Sequence, residues 1–231
     1  MRSTVLACFL AAALLGCQQA SLDPAPETPV TDAANARLPL PDHEGAHAGD
    51  ATGPLGIGPD AVWNGPVDAC RQDATAIDTC LLDAMRASDA TPAAIAASER
   101  LRGRGEAGYV SAWDERDGVG IATIEYPFRA HTNHGTWLVD RDGRPTDVDS
   151  LADSALSVPS IEAFLSAHPD AHPFAPAEFA ERRALPDGGV RLVYATAMRS
   201  CHACAVLGRL QVAYDFDGER DFAGQQVLGL E

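Results

Sequence analysis

The 231-residue chain has no lysine, and all 17 of its basic residues other than histidine are arginine. Schiff-base chemistry on a lysine amine is therefore excluded. Against those 17 arginines stand 33 acidic residues, for a formal net charge of −16. Neutralising phosphates takes a basic face, so no nucleic acid partner is expected. An acidic surface keeps a chain soluble and steers cationic partners, peptides or metal ions. Long apolar runs are scarce as well. The one from Val5 to Gly16 is about a dozen residues, where a bilayer-crossing helix needs about 20. No dinucleotide fingerprint, phosphate loop, zinc-protease helix motif or serine nucleophile elbow occurs. Acidic residues are so frequent that no pair stands out as catalytic. No motif calls for a cofactor, and binding is favoured over enzymatic activity.

The N-terminus carries an address. Met1-Arg2-Ser3-Thr4 supplies one basic charge, and a short apolar stretch follows, as in a secretory signal. The run Leu14-Leu15-Gly16-Cys17 resembles the lipobox of bacterial lipoproteins. The resemblance spans the first 17 residues. It implies a diacylglycerol on the Cys17 sulfur, cleavage before that residue, and acylation of the new amino terminus by a palmitate-type chain. Several acyl chains anchor firmly where one holds only marginally. In that family aspartate after the cysteine favours inner-membrane retention. Gln18 stands here, which implies the outer membrane with the domain facing the periplasm. Loss of residues 1–16 removes Arg2 and leaves 16 arginines against 33 acids, about −17.

Residues 17–60 read as the lipidated cysteine followed by a tether. Seven of the 43 positions from 18 to 60 are proline, and Gly, Ala, Asp and Thr fill most of the rest. Such a stretch buries too little apolar surface to offset its ordering and serves as an extended spacer. His43 and His47 lie in it and read as solvated. Residues 61–231 read as the globular part.

That part alternates helical and strand patterns. Ile77, Leu81, Ala84 and Met85 recur at helical spacing, with a start near Thr75. Thr91-Pro92 predicts an N-cap and first helical residue, with Gly103 or Gly105 ending that helix. From Gly108 the period changes to two. Strands are expected at Tyr109–Trp113, Val119–Tyr126 and Thr136–Val139, then a polar connection holding Asp147, Asp149 and Asp153, and a helix at Ile161–Ala167. Further strands follow at Glu178–Leu185, Val190–Thr196, Leu210–Phe216 and Gln225–Leu230, with a strong turn at Pro186-Asp187-Gly188-Gly189. The fold class expected is α+β: antiparallel sheets with helices packed on one face, helix plus meander twice over, of a cystatin-like or nuclear-transport-factor-like kind.

Four cysteines remain after Cys8 and Cys17. An even number in an oxidising compartment reads as disulfides. Cys70 and Cys80 would stand about 15 Å apart on one continuous helix, too far for a bridge. A Cys70–Cys80 bridge therefore requires Cys70 to fold back before the helix. Cys201-His202-Ala203-Cys204 admits three readings: a structural disulfide, a thiol–disulfide exchange site, or a metal site using Cys201, His202 and Cys204. Exchange sites favour a helix N-terminus, and here the flanking segments look like strands. Zinc needs four ligands, and no second C-x2-C exists. Haem attachment would need histidine at 205, which is alanine. The structural reading is therefore preferred.

The stretch Tyr126–Trp137 concentrates other useful groups. Arg129 can hold a carboxylate bidentately, His131 or His134 can move protons near neutral pH, and Trp137 can line a pocket. These four are the candidate ligand-binding residues. The function expected is a non-enzymatic envelope lipoprotein that binds a protein, peptide or small-molecule ligand. An inhibitor of a cationic hydrolase is one version. The alternative is a periplasmic thiol–disulfide or metal-handling protein built on Cys201 and Cys204.

Overall fold

The computed structural model describes residues 56–72, 77–151 and 153–231. The lipobox, Cys17, His43, His47 and the helix start at Thr75 lie outside the described residues. The fold is α+β and mostly strand. Helices α1 (Ile77–Ala87) and α2 (Pro92–Gly103) precede a four-stranded antiparallel meander: β1 (Tyr109–Arg116), β2 (Val119–Glu125), β3 (His134–Val139) and β4 (Pro145–Asp147). Helices α3 (Asp153–Leu156) and α4 (Pro159–Ala167) precede a second: β5 (His172–Ala184), β6 (Val190–Arg199), β7 (Gly208–Phe216) and β8 (Phe222–Leu230).

Local chemistry accounts for the element ends. Thr91 Oγ1 accepts from the Ala94 N–H at 3.0 Å, and Pro92 occupies the first turn, where its missing N–H costs nothing. At the other end Gly105 has φ +81°, which brings the Glu106 N–H back to the Leu101 carbonyl at 3.0 Å. β1 runs three residues past Trp113. The turn expected over Asp114–Gly118 shrinks to Asp117-Gly118, with φ of +53° and +82°, a hairpin geometry suited to the strand twist. The polar residues Asp114–Arg116 disguised that extension, because an edge strand can be solvated. β5 begins six residues before Glu178 in spite of Pro173 and Pro176. Its register shifts between Phe174 and Glu178, and an edge strand with such irregularities tolerates proline. The expected polar connection contains β4, paired with β3 through Trp137↔Asp147 and Leu138↔Thr146.

The first sheet is apolar on both faces. Ala122, Ile124, Trp137 and Val139 pack with Ala97 and Leu101 of α2. Val119, Ile121 and Leu138 join a second core with Leu192, Tyr194, Leu210, Val212 and Tyr214 of the other sheet. Ala155 of α3 and Ile161 of α4 lie in that same core. Leu81, Leu82 and Met85 of α1 pack with Trp63, Ala94 and Tyr109 in a third, so helices line all three cores. Packing starts ahead of residue 61, since Ile57 is buried and its N–H donates to the Gly143 carbonyl at 2.8 Å.

The four hairpin turns of the two meanders are tied together. Arg182 pairs with Asp117, and Arg220 donates to the Asp117, Gly188 and Asp217 carbonyls. Arg141 pairs with Asp221 at 2.9 Å. The β2–β3 and β6–β7 connections leave the meanders from the opposite strand ends.

Candidate functional site

Both disulfides are present, in different surroundings. Cys70 folds back in a 3-10 turn (Asp68–Gln72) before α1 and bonds Cys80 with Cα atoms 5.6 Å apart. Cys70 is fully buried. Cys201 and Cys204 have Cα atoms 5.0 Å apart in the β6–β7 loop, where Cys201 is exposed and Cys204 half-buried. That loop is held by backbone bonds of its own. The Cys204 N–H donates to the Cys201 carbonyl at 3.1 Å and the Leu207 N–H to the Met198 carbonyl at 2.9 Å. Arg199 Nη1 donates to the His202 and Cys204 carbonyls at 3.2 and 3.4 Å, while its buried Nε has no partner.

The four candidate residues of the central stretch separate. Trp137 is wholly buried, packed against α2. His134 opens β3 and pairs with Glu125, its neighbour across the ladder, at 2.7 Å. Arg129 lies 3.6 Å over the Tyr126 ring, pairs with Glu106, and donates to the Thr132 carbonyl at 3.4 Å. It braces its own loop. His131 is exposed and its ring meets that of His202, with centroids 4.7 Å apart and planes tilted by 33°. The chain of rings continues from His202 to Phe174 at 5.9 Å and from Phe174 to His172 at 4.4 Å.

Beside these rings lies a cavity of about 280 Å³, lined by Thr132, Phe174, Glu178, Arg199, His202 and Arg209 among others. Thr132 reaches across to the Ala175 carbonyl at 3.3 Å and fastens the β2–β3 loop to β5. Arg209 Nη1 meets Glu178 at 2.8 Å, both side chains being largely solvated. The wall therefore presents guanidinium and imidazole donors, one carboxylate and one aromatic face. Of the residues singled out from the sequence, His202 lines the cavity and His131 stacks on it. Phe174, Glu178, Arg199 and Arg209 were not singled out. The available signal was that Arg199 and Arg209 bracket the Cys201–Cys204 loop.

A second polar cluster is structural. Asp149 Oδ1 accepts from the Ala177 N–H at 2.6 Å and Oδ2 from the Thr136 N–H at 3.0 Å, so one carboxylate joins β5 to β3. Asp147 Oδ1 accepts from the Asp149 N–H at 3.0 Å, and its Oδ2 lies 3.7 Å from Arg104. Burial holds both carboxyls above the usual carboxylate range, against the pull of these donors. Burial also raises the Tyr126 hydroxyl, and pushes that of Tyr194 up to about 12. Among the described residues no group of three or more His, Cys, Asp and Glu side chains is placed to hold a metal.

No family profile matches the chain, and no curated protein or solved structure is significantly similar to it.

Proposed function

We propose that this chain is the precursor of a lipid-anchored envelope protein whose domain binds a small zwitterionic ligand, of the amino-acid or short-peptide class, between β5, β6 and β7. The observation that carries the binding reading is the wall of the cavity. Arg199, Arg209 and His202 supply donors for a carboxylate, and Glu178 an acceptor for an ammonium group. Its volume of about 280 Å³ suits a small ligand. A chain of net charge −16 repels anions at long range. A zwitterion carries no net charge and escapes that repulsion. The Arg209–Glu178 pair is solvent-exposed, and such pairs are worth about 0–1 kcal/mol. A ligand can therefore replace each partner at small cost. The lipobox resemblance supports the address.

A thermal-shift and calorimetry panel of free amino acids, dipeptides, dicarboxylates and diamines tests the ligand class. Saturation at 100 times Kd stabilises a folded protein by about 2.7 kcal/mol. The zwitterions should raise the melting temperature, and Arg209→Ala and Glu178→Gln should each weaken binding about tenfold, or about 1.4 kcal/mol. A panel without effect at millimolar concentration, or binding indifferent to both substitutions, refutes the reading.

A further inference from the structure

We infer that the Cys201–Cys204 bridge is a thiol–disulfide exchange site, and that its partner is a dithiol carried on a polypeptide segment with apolar neighbours. The inference stands whether or not the cavity between β5, β6 and β7 takes a zwitterion.

Access separates the two bridges. Exchange needs a thiolate to reach a sulfur. Cys201 is exposed and Cys204 half-buried, whereas Cys70 of the other bridge is wholly buried. Charge acts the same way, because the attacking thiolate is an anion. The nine residues from Ser200 to Gly208 include no acid, and Arg199 and Arg209 flank them. Glu178, on β5, is already paired with Arg209 at 2.8 Å. In sequence Asp68, Asp73, Asp78 and Asp83 surround Cys70 and Cys80 instead.

The loop also tolerates opening. Four hydrogen bonds hold it without the sulfurs, from the Cys204 and Leu207 N–H groups and, twice, from Arg199. β7, not a helix, follows the pair, so no helix N-terminus steadies a thiolate here. Arg199 supplies the positive charge, its Nη1 held on the Cys204 carbonyl at 3.4 Å. Covalent geometry keeps the carbonyl oxygen and the sulfur of one residue within about 5 Å. A thiolate at 204 therefore forms in the field of that guanidinium. Two side chains point to the partner. Val206 and Leu207 are each 40 % exposed, and among the described residues only Phe179 is as open for a large apolar side chain. A segment that covers them with apolar side chains of its own gains binding energy where a small thiol gains none.

One thiolate of the partner attacks Cys201 Sγ, the accessible sulfur. A mixed disulfide forms, the Cys201–Cys204 bond breaks, and Cys204 leaves as the thiolate. The partner's second thiolate then attacks its own sulfur in the mixed disulfide and releases Cys201. The partner is oxidised by two electrons to a disulfide, the bridge is reduced by two, and the partner's two thiol protons end on Cys201 and Cys204.

The test uses the full oxidised chain and three reductants: dithiothreitol, a Cys-x-x-Cys peptide flanked by leucines, and the same peptide flanked by serines. Rapid alkylation and mass spectrometry follow which sulfurs open, and each peptide rate is taken relative to dithiothreitol on the same chain. Dithiothreitol should open Cys201–Cys204 roughly tenfold or more faster than Cys70–Cys80, because only the first is accessible. The leucine peptide should outpace the serine peptide by about tenfold, the effect of covering one or two apolar side chains. That preference should vanish in a Val206→Ser/Leu207→Ser chain. A leucine peptide whose second cysteine is changed to serine should be trapped on Cys201. The inference is overturned if Cys201–Cys204 opens no faster than Cys70–Cys80, if the trapped peptide sits on Cys204, if the two peptides react alike, or if the double serine chain keeps the preference.

Discussion

Replacing Asp149 by alanine removes a single carboxylate and strands two backbone donors in different sheets. Ala177 N–H in β5 and Thr136 N–H in β3 now point at its two oxygens, at 2.6 and 3.0 Å. An orphaned buried donor costs about 1–3 kcal/mol, and a hydrogen bond to a charged group contributes about 1.5–3. The carboxylate also costs something to bury, shown by its raised titration, so the two losses are partly offset. A net destabilisation of about 2–4 kcal/mol is expected. For a domain of this size each kcal/mol moves the melting temperature by about 2–4 °C, so Asp149→Ala should melt about 4–16 °C lower. Asp149→Asn keeps one acceptor oxygen and turns an amide donor toward the other N–H, so it should fall between alanine and wild type. Calorimetry and urea titration of all three chains, at one pH, provide the comparison. If alanine melts within about 1 °C of wild type, the carboxylate does not join the two sheets and the account of the interior is wrong.

Acidification gives a second check. Asp147 and Asp149 titrate above their unfolded values, so the folded state holds their protons more tightly. This contribution to stability is fully present below the ordinary carboxylate pKa of about 4 and is lost as pH rises through the raised folded values. Asp147→Asn should therefore flatten the stability-against-pH curve in that window, and an unchanged slope would contradict the assigned burial. Opening the Cys70–Cys80 loop by double serine substitution should cost about 3 kcal/mol and opening Cys201–Cys204 about 2, by loop-closure entropy; equilibrium unfolding that ranks them the other way would make the exposed bridge the main staple. Trp137→Ala should cost about 3–5 kcal/mol, because the ring is wholly buried under α2. A loss below about 1 kcal/mol would return Trp137 to the surface.

Most elements were legible because the strands of the second sheet are rich in β-forming residues and end at strong turns. Leu192 and Tyr194 of β6, like Leu210, Val212, Tyr214 and Phe216 of β7, point one way into a single core. Turn chemistry within Asp114–Gly118 and at Pro186–Gly189 marked the hairpins, and Thr91-Pro92 marked α2 through a mechanism that acts within four residues. What escaped notice lies on edges. β4 and the first half of β5 carry polar residues and prolines, because one side of an edge strand need not donate to a neighbour. The site was harder. Trp137 and Phe128 sit beside His131 and His134 in sequence, and strand alternation sends Trp137 inward to the α2 core. His134 faces Glu125 across a ladder whose register no local pattern states.

Why His131 meets His202 follows from the topology. In a four-stranded meander the first and third hairpin turns emerge at one end and the second at the other. Here the first and third turns of both sheets are tied by Arg141, Arg182 and Arg220, so the two meanders lie with their ends matched. Their second connections, the β2–β3 and β6–β7 loops, must then emerge side by side. His131 belongs to one and His202 to the other, and Thr132 bonds across to the Ala175 carbonyl beside them. The two histidine rings meet only once the second meander has folded against the first. A site made by equivalent loops of two like-oriented meanders therefore has no contiguous motif.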